Sequence, residues 1–166
     1  MYKISTSILS SNNLTNTIEK LNKSITDYIH LDIMDGLFVP NTKFSIEELK
    51  NILPLINKPI DIHLMVENPL PYIKAINNPN VKYITIHIEI NQDINSLIDT
   101  IKSSGYKACL AIKPNTNIEE IIPYIEKIDI KSEVERLKTI QNDKQNEKTL
   151  VTLKNEFKRS QIINEK

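Results

Sequence analysis

The sequence predicts an α/β fold, with successive β/α units on a parallel sheet over residues 1–130 and a polar α-helical tail over residues 131–166. Three observations predict it. Up to about Ile130, short apolar runs, turns and amphipathic stretches repeat in order, as strands alternating with helices do. Within the short runs, side chains of unlike polarity alternate and define two different faces. From Lys131 the composition shifts to Lys, Glu, Gln and Asn without proline or glycine, and the rhythm stops.

Strands are expected from Lys3 to Leu9, Tyr28 to Met34, Ile60 to Val66, Tyr83 to Ile90 and Lys107 to Ile112, the short apolar runs bounded by turns. Helices are expected between them, from Leu14 to Lys23, Ser45 to Ile56, Pro71 to Asn77, Asp93 to Ser103 and Ile118 to Lys127. Several of these open on Asn, Ser or Asp, whose side chains accept from the unpaired first-turn N–H groups. A sixth strand is expected to begin near Ile128. In the tail, Val134, Leu137, Ile140, Leu150, Leu153 and Phe157 are spaced as on a helix, but the polar stretch from Gln141 to Thr149 breaks the pattern before a coiled coil is established. A solvated or partly disordered helix is the expectation there, with a partner-binding helix as the other reading.

Composition narrows the function. Lys+Arg and Asp+Glu are both 21, so no net charge draws a nucleic acid or an anionic membrane surface. Neither partner is expected. The lone Cys109 has no disulfide partner within the chain, and the first residues lack a long apolar run, so the reading is of a cytoplasmic protein. Only 2 glycines occur, Gly36 and Gly105, against a usual share of about 7%. Neither lies in a glycine-rich phosphate loop.

Strands buried on both sides normally read as continuous Val/Ile/Leu runs, so a recurring polar face calls for a reason. Ile29, Leu31 and Ile33 share one face of the second strand, and His30, Asp32 and Met34 the other. The third strand opposes Ile60, Ile62 and Leu64 to Asp61, His63 and Met65; the fourth opposes Ile84, Ile86 and Ile88 to Thr85, His87 and Glu89. Ser5 and Ser7 extend this face to the first strand. His30 and Asp32, roughly 7 Å apart along a strand, could converge on one ion with His63 arriving from next door. A His-x-Asp pair alone is as often a structural hydrogen bond. The added His63 favours a divalent cation, Zn²⁺, Fe²⁺, Mn²⁺ or Co²⁺, because three such groups are costly to bury unpaired. Asp61, Glu89 and Lys113 have ordinary readings as solvated or ion-paired surface groups.

The segments Ser7-Ile8-Leu9-Ser10, His30 to Asn41, Asp61 to Pro69, His87-Ile88-Glu89 and Ala111 to Thr116 closely resemble ribulose-phosphate 3-epimerases in order and spacing. The resemblance implies an incomplete (β/α) TIM-type barrel of the ribulose-phosphate-binding type. It also implies interconversion of D-ribulose 5-phosphate and D-xylulose 5-phosphate by proton removal and return at carbon 3. His30, Asp32 and His63 match the family's metal ligands, and Asp32 also matches one of two catalytic acid/bases. Ser7 matches a substrate-contacting serine, while Met34 and Met65 match methionines lining the reacting centre. Leu37 stands where histidine is common. A related ketose-phosphate 3-epimerase, such as one acting on allulose 6-phosphate, shares these front-half motifs. So does a non-catalytic fragment with a partner-binding tail.

The family's later strands supply a fourth metal ligand, the second acid/base aspartate and glycine-rich phosphate loops, and no such motif follows Ile130 in this sequence. The expectation is therefore a truncated family member with an open sheet edge that invites homo-oligomer formation.

Overall fold

The structure, a computed structural model, describes residues 3–129. The expected helical tail lies outside the described residues. A sheet of six strands forms the centre: β1 (Ser5–Ser7), β2 (Tyr28–Asp35), β3 (Thr42–Lys43), β4 (Ile60–Met65), β5 (Val81–His87) and β6 (Lys107–Ala111). The path β1-β2-β4-β5-β6 is parallel throughout, each strand beside its predecessor, while β3 pairs antiparallel with the end of β2. This α/β arrangement is consistent with part of a TIM-type barrel.

Burial explains the alternation. Ile29, Leu31, Ile33, Ile60, Ile62, Leu64, Ile84 and Ile86 are all fully inaccessible, under α1 (Leu14–Asn22), α2 (Ile46–Ile52), α3 (Leu70–Ala75) and α4 (Ile94–Ser103). Those helices return Ile18, Leu49, Ile52, Ile73, Leu97, Ile98 and Ile101 to the same core. At about 1.5–3 kcal/mol for each fully buried aliphatic side chain, this face supplies the driving force and fixes which residues point the other way.

Helices α1, α2 and α4 begin where sequence placed them because their caps form, whereas α3 starts at Leu70 after Pro69, without a side-chain cap. The Asn13 side chain accepts from Asn16 N, Asp93 accepts from Asn95 N, and Ser45 and Glu48 close a reciprocal capping box. Two ends differ from expectation for one reason. Pro54 and Pro123 have no N–H to bond to the carbonyl four residues earlier, so α2 passes into a 3-10 turn at Leu53–Leu55 and the expected last helix is a 3-10 helix over Ile118–Tyr124. The sixth expected strand is present among the described residues only as one rung, Asp129 N donating to Ala108 O at 3.0 Å. The Asp129 carboxylate also accepts from Ala108 N, at 3.0 Å. β3 was not foreseen, since two residues carry no periodicity; it follows a turn through Gly36, whose φ of 78° suits a residue without a side chain.

Candidate metal centre

Register brings polar residues of three strands together. Asp32 lies opposite His63, His30 opposite Asp61, Met34 opposite Met65, and Ser7 opposite His30. The donor atoms of His30, Asp32 and His63 all lie within 4.8 Å of one another, the single group among the described residues that could hold a metal ion. Asp32 is its centre, 5% exposed. Its Oδ1 is 3.1 Å from His30 Nε2 and 3.6 Å from His63 Nδ1, and its Oδ2 accepts from Ser7 Oγ at 2.8 Å.

The far side of each imidazole is also engaged. His30 Nδ1 is 2.9 Å from Asp61 Oδ2, and His63 Nε2 is 2.9 Å from His87 Nε2. His87 Nδ1 in turn meets Glu89 Oε2 at 3.1 Å. Glu89 Oε1 accepts from the backbone N–H of Lys113, and the carboxylate also bonds the Thr116 side chain. Asp61, His87 and Glu89 thus belong to one network with the three expected donors. Their alternation in the sequence placed them on this face, but nothing in it told which would touch which.

The ionisation of the cluster follows its geometry. Burial acts to lower the His30 pKa, but hydrogen bonds to Asp32 and Asp61 outweigh it and raise the value to about 10. Burial acts to raise that of Asp32; bonds from His30, His63 and Ser7 overcome it and hold the carboxyl well below the usual range. His87 is pushed down to about 4, by burial first and then by the neighbouring His63, against Glu89. His87 is therefore neutral at physiological pH, and Glu89, lowered by its hydrogen-bond donors against burial, is ionised.

The donor chemistry fits a cation. Once the second ring proton that the raised pKa places on His30 is displaced, Nδ1 still donates to Asp61 and the Nε2 lone pair faces Asp32 Oδ1. His63 presents Nδ1 to the same oxygen. Three lone pairs then aim at one point, an arrangement that repels itself unless a proton or a metal ion lies between. Two imidazole nitrogens and a carboxylate oxygen, each held from behind, are a mixed N/O donor set suited to the divalent ions expected from sequence.

Met34 and Met65 stand beside each other one pleat further along, half-buried. A cleft of about 360 Å³ opens at that end of β2, lined by Met34, Asp35, Lys43 and Tyr72 among others, and none of the three donor residues lines it.

The sequence matches the ribulose-phosphate 3 epimerase family over residues 3–132. The chain belongs to this family. It is 34% identical over 127 residues to the ribulose-phosphate 3-epimerase, cytoplasmic isoform, of Oryza sativa, a match covering 75% of the chain and 56% of the rice protein. It is 33% identical over 132 residues to the ribulose-phosphate 3-epimerase of Bacillus subtilis, covering 78% of the chain and 61% of that protein. With the Aquifex aeolicus enzyme of the same name the identity is 40% over 95 residues, 57% of the chain and 43% of the relative. This epimerase-family chain therefore spans roughly two-fifths to three-fifths of the length of these curated relatives. No helix among the described residues is long and apolar enough to cross a membrane.

Proposed function

We propose that these strands carry the metal-binding and first acid/base half of a ribulose-phosphate 3-epimerase centre acting on D-ribulose 5-phosphate and D-xylulose 5-phosphate. The observation that carries this reading is the convergence of His30 Nε2, His63 Nδ1 and Asp32 Oδ1, each backed by a second partner. His30, Asp32 and His63 would hold the ion. The chemistry such an ion supplies is polarisation of the substrate carbonyl and stabilisation of negative charge developing on its oxygen.

The chain's own residues do the rest. Asp32, acting as base, forms an O–H bond as the C3–H bond breaks, and that electron pair moves into the enediolate. Ser7, whose hydroxyl fixes Asp32 Oδ2, orients the carboxylate and contacts substrate. Met34 and Met65 supply an apolar wall beside the reacting carbon and exclude water from it. Returning the proton to the opposite face requires a second acid, which the family resemblance assigns to later strands. No glycine follows Gly105, so phosphate-binding loops of the glycine-rich type are likewise absent from these 166 residues.

The test is the purified chain incubated in D2O with D-ribulose 5-phosphate, with and without added Zn²⁺ or Mn²⁺, followed by NMR. Deuterium should enter at carbon 3 only with metal, and the Asp32→Asn variant should lose at least about 100-fold in that rate, the scale of a general-base contribution. Undiminished exchange in Asp32→Asn would remove the assignment.

A further inference from the structure

The loop after β6, from Lys113 to Thr116, touches no donor atom of the metal cluster, yet it is tied to one of them by an unbroken line of hydrogen bonds. The Lys113 N–H and the Thr116 side chain bond Glu89; Glu89 Oε2 meets His87 Nδ1 at 3.1 Å; His87 Nε2 meets His63 Nε2 at 2.9 Å. The geometry points to Glu89 and His87 as positioning residues that fix which nitrogen of His63 carries its proton, so that Nδ1 is left bare toward Asp32. This inference rests on the metal-site reading above and extends it to two residues outside the His30, Asp32 and His63 donor group.

The direction of each bond follows from the one group that can only donate. A backbone N–H, that of Lys113, points at Glu89 Oε1 and orients the carboxylate. The carboxylate accepts, so His87 places its ring proton on Nδ1 and offers a lone pair at Nε2. His63 must then place its own proton on Nε2, which empties Nδ1, the atom 3.6 Å from Asp32 Oδ1. Packing holds the line straight. His63 and His87 stack with ring centres 4.9 Å apart and 19° between planes, Phe38 lies 4.8 Å from His87, and the Lys113 ammonium sits 3.8 Å over the Phe38 ring. The rings have no room to turn over without breaking this column.

Glu89→Gln keeps the shape and reverses the logic. Its amide oxygen must stay on the Lys113 N–H, so its NH2 faces His87 Nδ1 and donates to it. His87 then carries its proton on Nε2, and His63 is forced to protonate Nδ1, the ligand position. With the full chain, Zn²⁺ titration calorimetry should show affinity reduced roughly 10- to 100-fold in Glu89→Gln, the usual scale for loss of a partner behind a metal-bound histidine. Metal-free ¹⁵N NMR of the imidazoles, with His63 assigned by its disappearance in His63→Gln, should show His63 protonated on Nε2 in the unmodified chain and on Nδ1 in Glu89→Gln. If the unmodified chain binds Zn²⁺ and Asp32→Asn weakens it, but Glu89→Gln binds as tightly as the unmodified chain, the positioning role is wrong and the metal site stands. An unmodified chain that takes up no Zn²⁺, or an Asp32→Asn variant that binds as well, overturns the metal site and this inference with it. Should Glu89→Gln fail to fold, the tautomer of His63 in the unmodified chain decides: protonation on Nδ1 overturns the proposal.

Discussion

At Gly36 the chain leaves β2 with a φ of 78°, and a Cβ built there would lie 2.8 Å from the Thr42 methyl. Gly105 has a similar φ of 86° but open space around it. The two glycines therefore separate conformational cost from steric cost. Gly105→Ala is expected to lose about 1 kcal/mol of unfolding free energy, the backbone penalty alone, whereas Gly36→Ala should lose about 2 kcal/mol or more as Thr42 is displaced; urea denaturation of both variants checks the order. Sequence reading recognised His30, Asp32 and His63 because a two-residue period states which side chains share a face. It left His87 and Glu89 without a role because their contacts depend on the stagger between strands. His63 lies opposite Thr85, not His87, and a register shift at Ile60/Asp61 lies between β4 and β5. No period within one strand encodes that offset.

Among the elements, the link between the ends of β2 and β4 depends on one carboxylate. Asp35 accepts from Leu37 N at 2.9 Å, Phe38 N at 3.0 Å and Glu67 N at 2.7 Å, so it closes the turn after β2 and ties it to the loop after β4. Burial works to raise its pKa, but the N–H groups of Phe38, Glu67 and Leu37 overcome it and hold the value below the ordinary 3.8. A carboxyl depressed by folding contributes stability that is fully present above its unfolded pKa and is lost as pH falls through its folded value. Asp35→Asn should accordingly lower the urea midpoint at neutral pH and lose less than the unmodified chain on acidification below pH 3.8. Equal acid sensitivity of the two chains would refute this. Helix starts were readable where a side-chain cap announced them, as at Asn13, Ser45 and Asp93, whereas β1 and β5 are Ser5–Ser7 and Val81–His87 against the expected Lys3–Leu9 and Tyr83–Ile90. Boundaries were not readable at Pro54 and Pro123, where helical periodicity continues through residues that lack the required N–H.

For the molecule as a whole, the donors of β2 and β4 would make a bound ion part of the fold's stability, since an ion held by the native state alone stabilises it by mass action. Zn²⁺ at 100 times its dissociation constant should add about 2.7 kcal/mol, read as a rise in thermal midpoint that Asp32→Asn and His63→Gln do not show. The alternating α/β plan and the shared polar face were legible because both repeat along the chain; the outcome at β6, where Asp129 supplies one backbone rung and a side-chain acceptor, was not, because it depends on a single non-repeating contact. The direct pairing of Asp32 with His63 has a further consequence. Inserting or deleting one residue within β4 upstream of His63 would exchange its two sides, sending imidazole into the hydrocarbon layer under the helices and leucine or isoleucine toward Asp32. Sequence drift in this strand is thus confined to substitutions, and changes of length must fall in the loops on either side.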